Sequence, residues 1–217
     1  LTTMKVIENG KLGKILEIES HYDYYRPEIP EGVKEFSKNP SNSFLYGHGT
    51  HVIDQILSRY GKPDRINYDI RQLLGKNRMN DYFDIDMYYK QNDGTELKVS
   101  LKASYFRVKP RPTFAVYGTR GCFIKETEDR QEEHLKLFYM PHNKDFGIDL
   151  PRHYGILIYY DEEGNYHEEK VISETGDYGR VYDDLYEAIK NGKPKTITDE
   201  QIIWQMEILE KGIEGLE

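Results

Sequence analysis

The sequence predicts an α+β fold: an open, mainly antiparallel β-sheet with helices packed on one face. Two observations carry this. Segments of strand period fill the middle of the chain, and segments of helix period lie mostly at its two ends. Successive strand segments are joined by turn sequences such as Asn92-Asp93-Gly94, not by helical crossovers. There is no internal repeat, low-complexity tract or domain boundary, and no G-x-G-x-x-G following a strand.

Taken in order, residues 3–8 read as a short helix carrying Met4, Val6 and Ile7, closed by Asn9-Gly10. Residues 14–24 alternate as a half-exposed strand, with Leu16, Ile18, Ser20, Tyr22 and Tyr24 on one face. Pro27 and Pro30 end it. Residues 31–43 are polar and irregular, a loop expected to drape over the element that follows. That element runs from a glycine-broken loop into a helix. Thr50 is its expected N-cap, and Val52, Ile53, Ile56, Leu57 and Tyr60 form its apolar stripe. Gly61 and Pro63 end it.

Strands are expected at 68–74, 82–89, 95–105, 113–117 and 121–125. A charged helix is expected at 129–137. Strands at 154–160 and 166–172 flank a hairpin at 161–165. Residues 178–191 read as a helix whose buried stripe is Val181, Tyr182, Leu185, Ala188 and Ile189, closed by Gly192 and Pro194. Thr198 and Gln201 resemble a capping box for a last helix, 199–211, expected to bury Ile202, Ile203, Met206 and Leu209. The outward face of the central strands mixes Tyr, Lys, Asp and Ser. It reads either as a solvated face or as a contact between chains.

The chain has 217 residues, 37% of them hydrophobic, with 19 tyrosines. Its 38 acidic and 30 basic residues leave a formal net charge of -8, which argues against a nucleic-acid partner held by its phosphates. No apolar run is long enough for a membrane span, and the first residues do not resemble a signal peptide. Cys122 is the only cysteine, so no intrachain disulfide is possible and a cytoplasmic setting is expected. An amphipathic pattern beginning at Leu1 suggests a piece of something longer.

The stretch FLYGHGTHVIDQILSRYG, residues 44–61, holds the candidate chemistry. His51, Asp54 and Gln55 fall at i, i+3 and i+4, beside the apolar stripe. Gly47 and Gly49 allow a tight turn and a close approach. An imidazole in a first helical turn feels the positive helix end, which favours its neutral, proton-accepting form. From the residues alone, His51 is either that acceptor or a histidine satisfied in a helix cap. Asp54 either orients His51, holds a ligand hydroxyl, or is a solvated carboxylate. His48 is a loop histidine or a ligand contact. His48, His51 and Asp54 do not form a defensible zinc pattern, so no metal is expected. Tyr24, Tyr25 and Arg26 group an aromatic surface with a guanidinium, suited to a sugar ring and its hydroxyls or to an interface. Arg120, in the Gly118–Gly121 turn, faces either a ligand or water.

The same stretch resembles the signature of the glucose-fructose oxidoreductase / inositol dehydrogenase / rhizopine-catabolism (Gfo/Idh/MocA) family of NAD(P)-dependent dehydrogenases. Its D-x-G-x-H-x-x-D pattern is matched at Gly49, His51 and Asp54, while Gly47 stands where the family has its first Asp. Three further strings are similar in order and spacing: VIENGKLGKI, FAVYGTRGCFIKETEDRQEEHLK and TGDYGRVYDDLYEAIKNGKPKTITDEQIIWQMEILEKGIE.

The resemblance implies that residues 1–217 are the C-terminal substrate-binding and oligomerisation domain. It implies a preceding Rossmann domain that binds NAD or NADP and supplies a lysine from an E-K-P motif, which this sequence lacks. It implies His51 as the catalytic proton acceptor and does not fix the position of His48; read from the residues themselves, Asp54, His48, Tyr24 and Arg26 are the candidate substrate contacts. It also implies a carbohydrate-like substrate and a homo-oligomer formed through the sheet. By itself this chain is expected to bind no dinucleotide tightly and to be inactive. The alternative is a non-catalytic binding or dimerisation module that retains the fold.

Overall fold

The computed structural model of the chain describes residues 1–28, 43–75, 79–214 and 216. The loop expected at 31–43 lies outside these except for Ser43. The elements in order are α1 (Thr2–Glu8), β1 (Ile15–His21), a π-helical turn (Leu45–Gly49), α2 (Thr50–Tyr60), β2 (Arg65–Arg71), β3 (Tyr82–Lys90), β4 (Glu96–Ser104), β5 (Phe114–Gly118), β6 (Gly121–Lys125), α3 (Gln131–Lys136), a 3-10 turn (Pro151–His153), β7 (Gly155–Tyr160), β8 (Tyr166–Val171), α4 (Arg180–Asn191) and α5 (Asp199–Ile213). The fold is α+β and mostly antiparallel, as expected. Among the described residues no helix is long and apolar enough to cross a membrane. The residues divide into two compact units, Leu1–Ile15 with Pro112–Thr198, and Leu16–Arg111 with Asp199–Glu217.

The second unit carries the strands in the order β2-β3-β4-β1. Alternation places Phe83, Ile85 and Met87 of β3 on one face, opposite Ala103, Leu101 and Val99 of β4, and all six are fully buried. The π-helical turn, α2 and α5 lie over that face. Val52, Ile53, Ile56 and Leu57 of α2 are buried as its period requires. The opposite face is half-buried and charged. Lys98 Nζ lies 3.5 Å from Glu17 and 3.4 Å from Asp86, and Lys102 Nζ lies 3.1 Å from Asp84. Ser100 donates to Asp86, its cross-strand neighbour, at 2.5 Å.

One pairing departs from the hairpin pattern. β1 runs parallel to β4, with Ile18 opposite Val99. Turn sequences report only on strands that follow each other. Between β1 and β4 lie α2, β2 and β3, and that crossover leaves no local signal.

In the first unit β5, β6, β7 and β8 form an antiparallel meander, with Val116 opposite Phe123 and Phe123 opposite Leu157. Val6, Leu12, Ala115, Val116, Phe123 and Leu157 are its buried core. Gly121 is required sterically, because a Cβ there would lie 2.1 Å from the Ile158 carbonyl oxygen on the next strand. β8 is largely exposed and rich in charge, which suits an edge strand.

Two helices do not bury the expected faces. No residue of α4 is buried, so the stripe Val181, Tyr182, Leu185, Ala188, Ile189 is not core within its unit. Periodicity shows which face is apolar but not what covers it. In α5, Leu209 is buried as expected, but Ile202, Ile203 and Met206 are exposed, and Gln201, Ile208 and Gly212 are buried instead. Two features turn the helix this way. Gln201 and Gln205 hydrogen-bond to α2, and Gly212 lets Leu45 approach so closely that a Cβ would lie 2.5 Å from its Cδ2.

Candidate functional site

The candidate histidines do not follow a glycine-broken loop. The helix begins with the π-helical turn Leu45–Gly49 and continues without interruption into α2. Thr50 is therefore not an N-cap. Its backbone is helical, and its Oγ1 donates to the Tyr46 carbonyl oxygen at 2.9 Å. Both glycines take part in the helical turn. Gly49 allows close packing, since a Cβ there would lie 2.6 Å from Leu45 Cδ1, whereas Gly47 faces open space. Ser43 and Asn80 satisfy the starting amides. Ser43 Oγ accepts from the Tyr46 N–H at 2.9 Å, and the Asn80 carbonyl oxygen accepts from the Phe44 N–H at 3.1 Å. His51 thus lies more than a turn inside the helical run, and the argument from the positive helix end does not apply to it.

Three residues apart, His48 and His51 fall on neighbouring positions of one helical face. His48 is half-buried. Its ring lies 4.5 Å from Phe44, 5.0 Å from Tyr22, 5.3 Å from Tyr24 and 6.5 Å from Tyr105, centroid to centroid. His51 is exposed, and its ring lies 6.1 Å from Tyr22 with the planes 19° apart. Arg26 lies over the Tyr24 ring at 4.8 Å. Burial pushes the Tyr105 phenol above its ordinary range, and the nearby Arg26 works in the opposite direction.

Asp54 is not held by His51. Among the described residues the two share no hydrogen bond; Asp54 Oδ1 accepts from Gln201 Nε2 at 2.7 Å. Gln205, one turn along α5, donates from Nε2 to the Thr50 carbonyl oxygen at 2.7 Å. α5 thereby fixes the rotation of α2.

His48, His51, Tyr24 and Arg26 come together, with Asp54 one turn along the same helix. Tyr25 stays apart, exposed and bridged through its backbone to Phe106. Arg120 belongs to the first unit, where it donates to the Gly10 carbonyl oxygen at 2.8 Å and lies 3.3 Å from Glu162; it is a structural residue. Sequence reasoning missed Tyr22 as a site residue, along with Phe44, Tyr105 and Gln201. Tyr22 shares the Tyr24 face of the strand pattern and was the one with a usable signal. Tyr105 and Gln201 reach the site only through tertiary packing. Among the described residues no group of three His, Cys, Asp or Glu is placed to hold a metal.

Asp23 braces the tyrosine-bearing strand end. Its side chain is 0% exposed and receives three hydrogen bonds from Arg111: from the backbone N–H at 3.1 Å, from Nε at 2.8 Å and from Nη2 at 2.8 Å. Burial opposes the charged form, but the Arg111 bonds and charge outweigh it and hold the carboxyl below its ordinary range. A lowered folded pKa contributes stability above the unfolded value of about 4, and this is lost as pH falls through the folded value. Asp23→Asn is expected to lower stability by about 3 kcal/mol at neutral pH, with the difference shrinking below about pH 4. Urea midpoints measured from pH 7 to pH 2 check this, and a pH-independent difference refutes it.

Comparison with known proteins extends these observations. Residues 4–215 match the Gfo/Idh/MocA oxidoreductase family's C-terminal alpha/beta domain. Uncharacterized oxidoreductase YhhX of Escherichia coli is 41% identical over 216 residues, 99% of this chain and 59% of that protein. The scyllo-inositol 2-dehydrogenase (NADP(+)) IolW of Bacillus subtilis is 28% identical over 99% of this chain and 58% of its own length. The crystal structure of an oxidoreductase from Bacillus cereus superposes with a TM-score of 0.89 at 38% identity, covering 100% of this chain and 60% of that one. The chain therefore spans about three fifths of the length of these relatives.

Proposed function

We propose, because this chain belongs to the Gfo/Idh/MocA oxidoreductase family, that it forms the substrate-binding and oligomerisation domain of an NAD(P)-dependent oxidoreductase acting on a sugar, polyol or related hydroxy compound. The observation that carries this reading is the grouping of His48, His51, Tyr22, Tyr24 and Arg26 at the head of α2. Tyrosine faces suit the C–H faces of a polyol or sugar ring, and the guanidinium donates to its hydroxyls. The relative named as an inositol dehydrogenase acts on a substrate of this kind.

In this reading His51 accepts the proton that leaves the substrate hydroxyl, and its exposure lets it reach that hydroxyl. Tyr22 stacks beside the ring and keeps its plane in place. Asp54, held by Gln201, accepts from a neighbouring hydroxyl with its other oxygen, and His48 and Tyr24 wall the opposite side. The described residues do not fit a dinucleotide: none of the glycine turns joins a parallel strand to a helix in the manner of a pyrophosphate cradle. The nicotinamide that accepts hydride is accordingly assigned to the part of the full-length protein that precedes these residues, and this chain alone is expected to be inactive. The lone cysteine fits a cytoplasmic setting.

The charged, tyrosine-bearing face of β2, β3 and β4 is the proposed homo-oligomer surface. Its support is the cross-strand lattice of Lys98, Lys102, Asp84 and Asp86, with Tyr82 and Tyr88 flanking the two carboxylates along β3. Sedimentation of the full-length protein as a monomer would reject that part.

The second reading, a module without turnover, rests on Gly47. A side chain there would meet nothing within 4 Å, so packing does not demand the glycine that replaces the family carboxylate. Turnover of NAD(P) with a panel of polyols by the full-length protein separates the two readings. Substrate binding without turnover favours the module. If turnover is found, Arg26→Met is expected to lower kcat/KM about tenfold, chiefly through KM, by removing a charged hydrogen-bond donor.

A further inference from the structure

Beyond the ends of β1 and β4 the two segments stay paired. The Arg26 N–H donates to the Tyr105 carbonyl oxygen at 2.8 Å, the Arg107 N–H donates to the Tyr24 carbonyl oxygen at 3.0 Å, and Tyr25 faces Phe106 in an antiparallel bridge. In that pairing Tyr24 stands opposite Arg107, and Arg26 stands opposite Tyr105. Side chains alternate along a strand, so these four positions share one face and Tyr25 and Phe106 take the other. The shared face is the one on which the Tyr24 and Tyr105 rings lie near His48. Two arginine positions therefore border the proposed site, and the Arg26 guanidinium already lies over the Tyr24 ring.

Neither arginine is answered by a carboxylate. In the same unit Arg65 meets Glu96, Arg71 meets Asp69, Lys98 meets Asp86 and Lys102 meets Asp84. Arg26, Arg107 and Lys109 are exposed, and among the described residues none of them has a carboxylate in ion-pair contact. Two acids of this region are already engaged: Asp23 by Arg111, and Asp81 by the amides of Leu73 and Leu74. The segment carrying Arg107 and Lys109 is also held in place. Its start is pinned by the Arg107 N–H, its end by the three bonds from Arg111 to Asp23, and Pro110 and Pro112 restrict the backbone there. Cations held without counter-charge in a chain of net charge -8 form a local positive field that draws an anion at little ordering cost. A guanidinium fork matches the paired oxygens of a carboxylate or a phosphate, whereas a neutral polyol has no use for the surplus charge. We infer that the hydroxy compound taken by this site carries an anionic group, a carboxylate or a phosphate, which Arg26 and Arg107 receive beside Tyr24 and Tyr105. The inference rests on the proposed substrate site at the head of α2 and names the class of compound that site takes.

The test uses the full-length protein holding its reduced nicotinamide cofactor, so that a hydroxy compound binds without turning over. Calorimetry compares the methyl glycosides of glucose, glucuronic acid and glucose 6-phosphate, which share a ring, hold no free aldehyde and differ at C6. At least one of the two anions is expected to bind about tenfold more tightly than the neutral glycoside, and the one favoured tells carboxylate from phosphate. That preference is expected to fall at least about fivefold in Arg107→Met, an exposed position where methionine disturbs no core, and to weaken as salt is raised. Affinities within about twofold for all three compounds, with binding of the neutral glycoside weakened by His48→Asn, overturn the inference and leave the site standing. No binding, or binding that His48→Asn does not weaken, rejects the site and the inference together. An anion preference that both Arg26→Met and Arg107→Met leave intact also overturns it, because the anion is then held elsewhere.

Discussion

His51→Asn in the full-length protein is expected to lower kcat about 10²–10⁴-fold while leaving KM within a few-fold of wild type. The asymmetry follows from the two histidines' different settings. His51 is exposed, with its ring 6.1 Å from that of Tyr22, so asparagine can take its place without disturbing the core. On the proposed reading, what is lost is a group able to accept a proton as the hydroxyl is oxidised, an interaction realised in the transition state. His48 is half-buried among Phe44, Tyr22 and Tyr24, so His48→Asn is expected to act mainly on KM and stability. Steady-state kinetics on both variants, with thermal unfolding as the control, separates the roles. An unchanged kcat/KM for a folded His51→Asn protein removes that residue from the mechanism and strengthens the reading as a module without turnover.

Breaking the ion pair under β6 is expected to produce the largest loss of stability. Lys125 and Asp149 are both buried; Lys125 Nζ lies 2.9 Å from Asp149 Oδ2 and donates to the His153 carbonyl oxygen at 2.7 Å. Asp149 Oδ1 is also buried and has no hydrogen-bond partner among the described residues. Lys125→Met leaves a carboxylate in the interior without its cation, which typically costs about 3–5 kcal/mol. Replacing both partners, Lys125→Met with Asp149→Leu, is expected to recover most of that loss, because two apolar side chains leave no uncompensated charge. Urea unfolding of both single variants and the double variant closes the cycle. A single variant within about 1 kcal/mol of wild type shows that the pair is hydrated in solution.

Local pattern accounts for most of what could be read in advance. The alternation of Phe83, Ile85 and Met87, the Asn92-Asp93-Gly94 turn and the 121–125 strand appear where expected, because each is specified by neighbours in the chain. The strand expected at 68–74 ends at Arg71 for a non-local reason: Asp81 accepts hydrogen bonds from the Leu73 and Leu74 backbone amides at 2.8 and 2.7 Å and draws the chain away from the sheet. At the site, the positions of His51 and Asp54 were visible in the sequence, but their surroundings were not. The π-helical turn overrode the glycine signal because Ser43 and Asn80, 37 residues apart, supply the starting helix with its missing acceptors.

The sequence by itself determined the α+β class, the strand periods, the absence of a dinucleotide fingerprint and the helix on which the candidate histidines lie. Each of these depends on residues a few positions apart, where backbone geometry sets which side chains share a face. Tertiary structure alone decided that β1 runs parallel to β4, that Tyr22 and Tyr105 stand beside the histidines, and that Gln201 rather than His51 holds Asp54. It also decided that the apolar side of α4 faces outward. An amphipathic helix specifies that a face must be covered, but the choice of cover is made by contacts between residues far apart in the chain, whose distances no local period records.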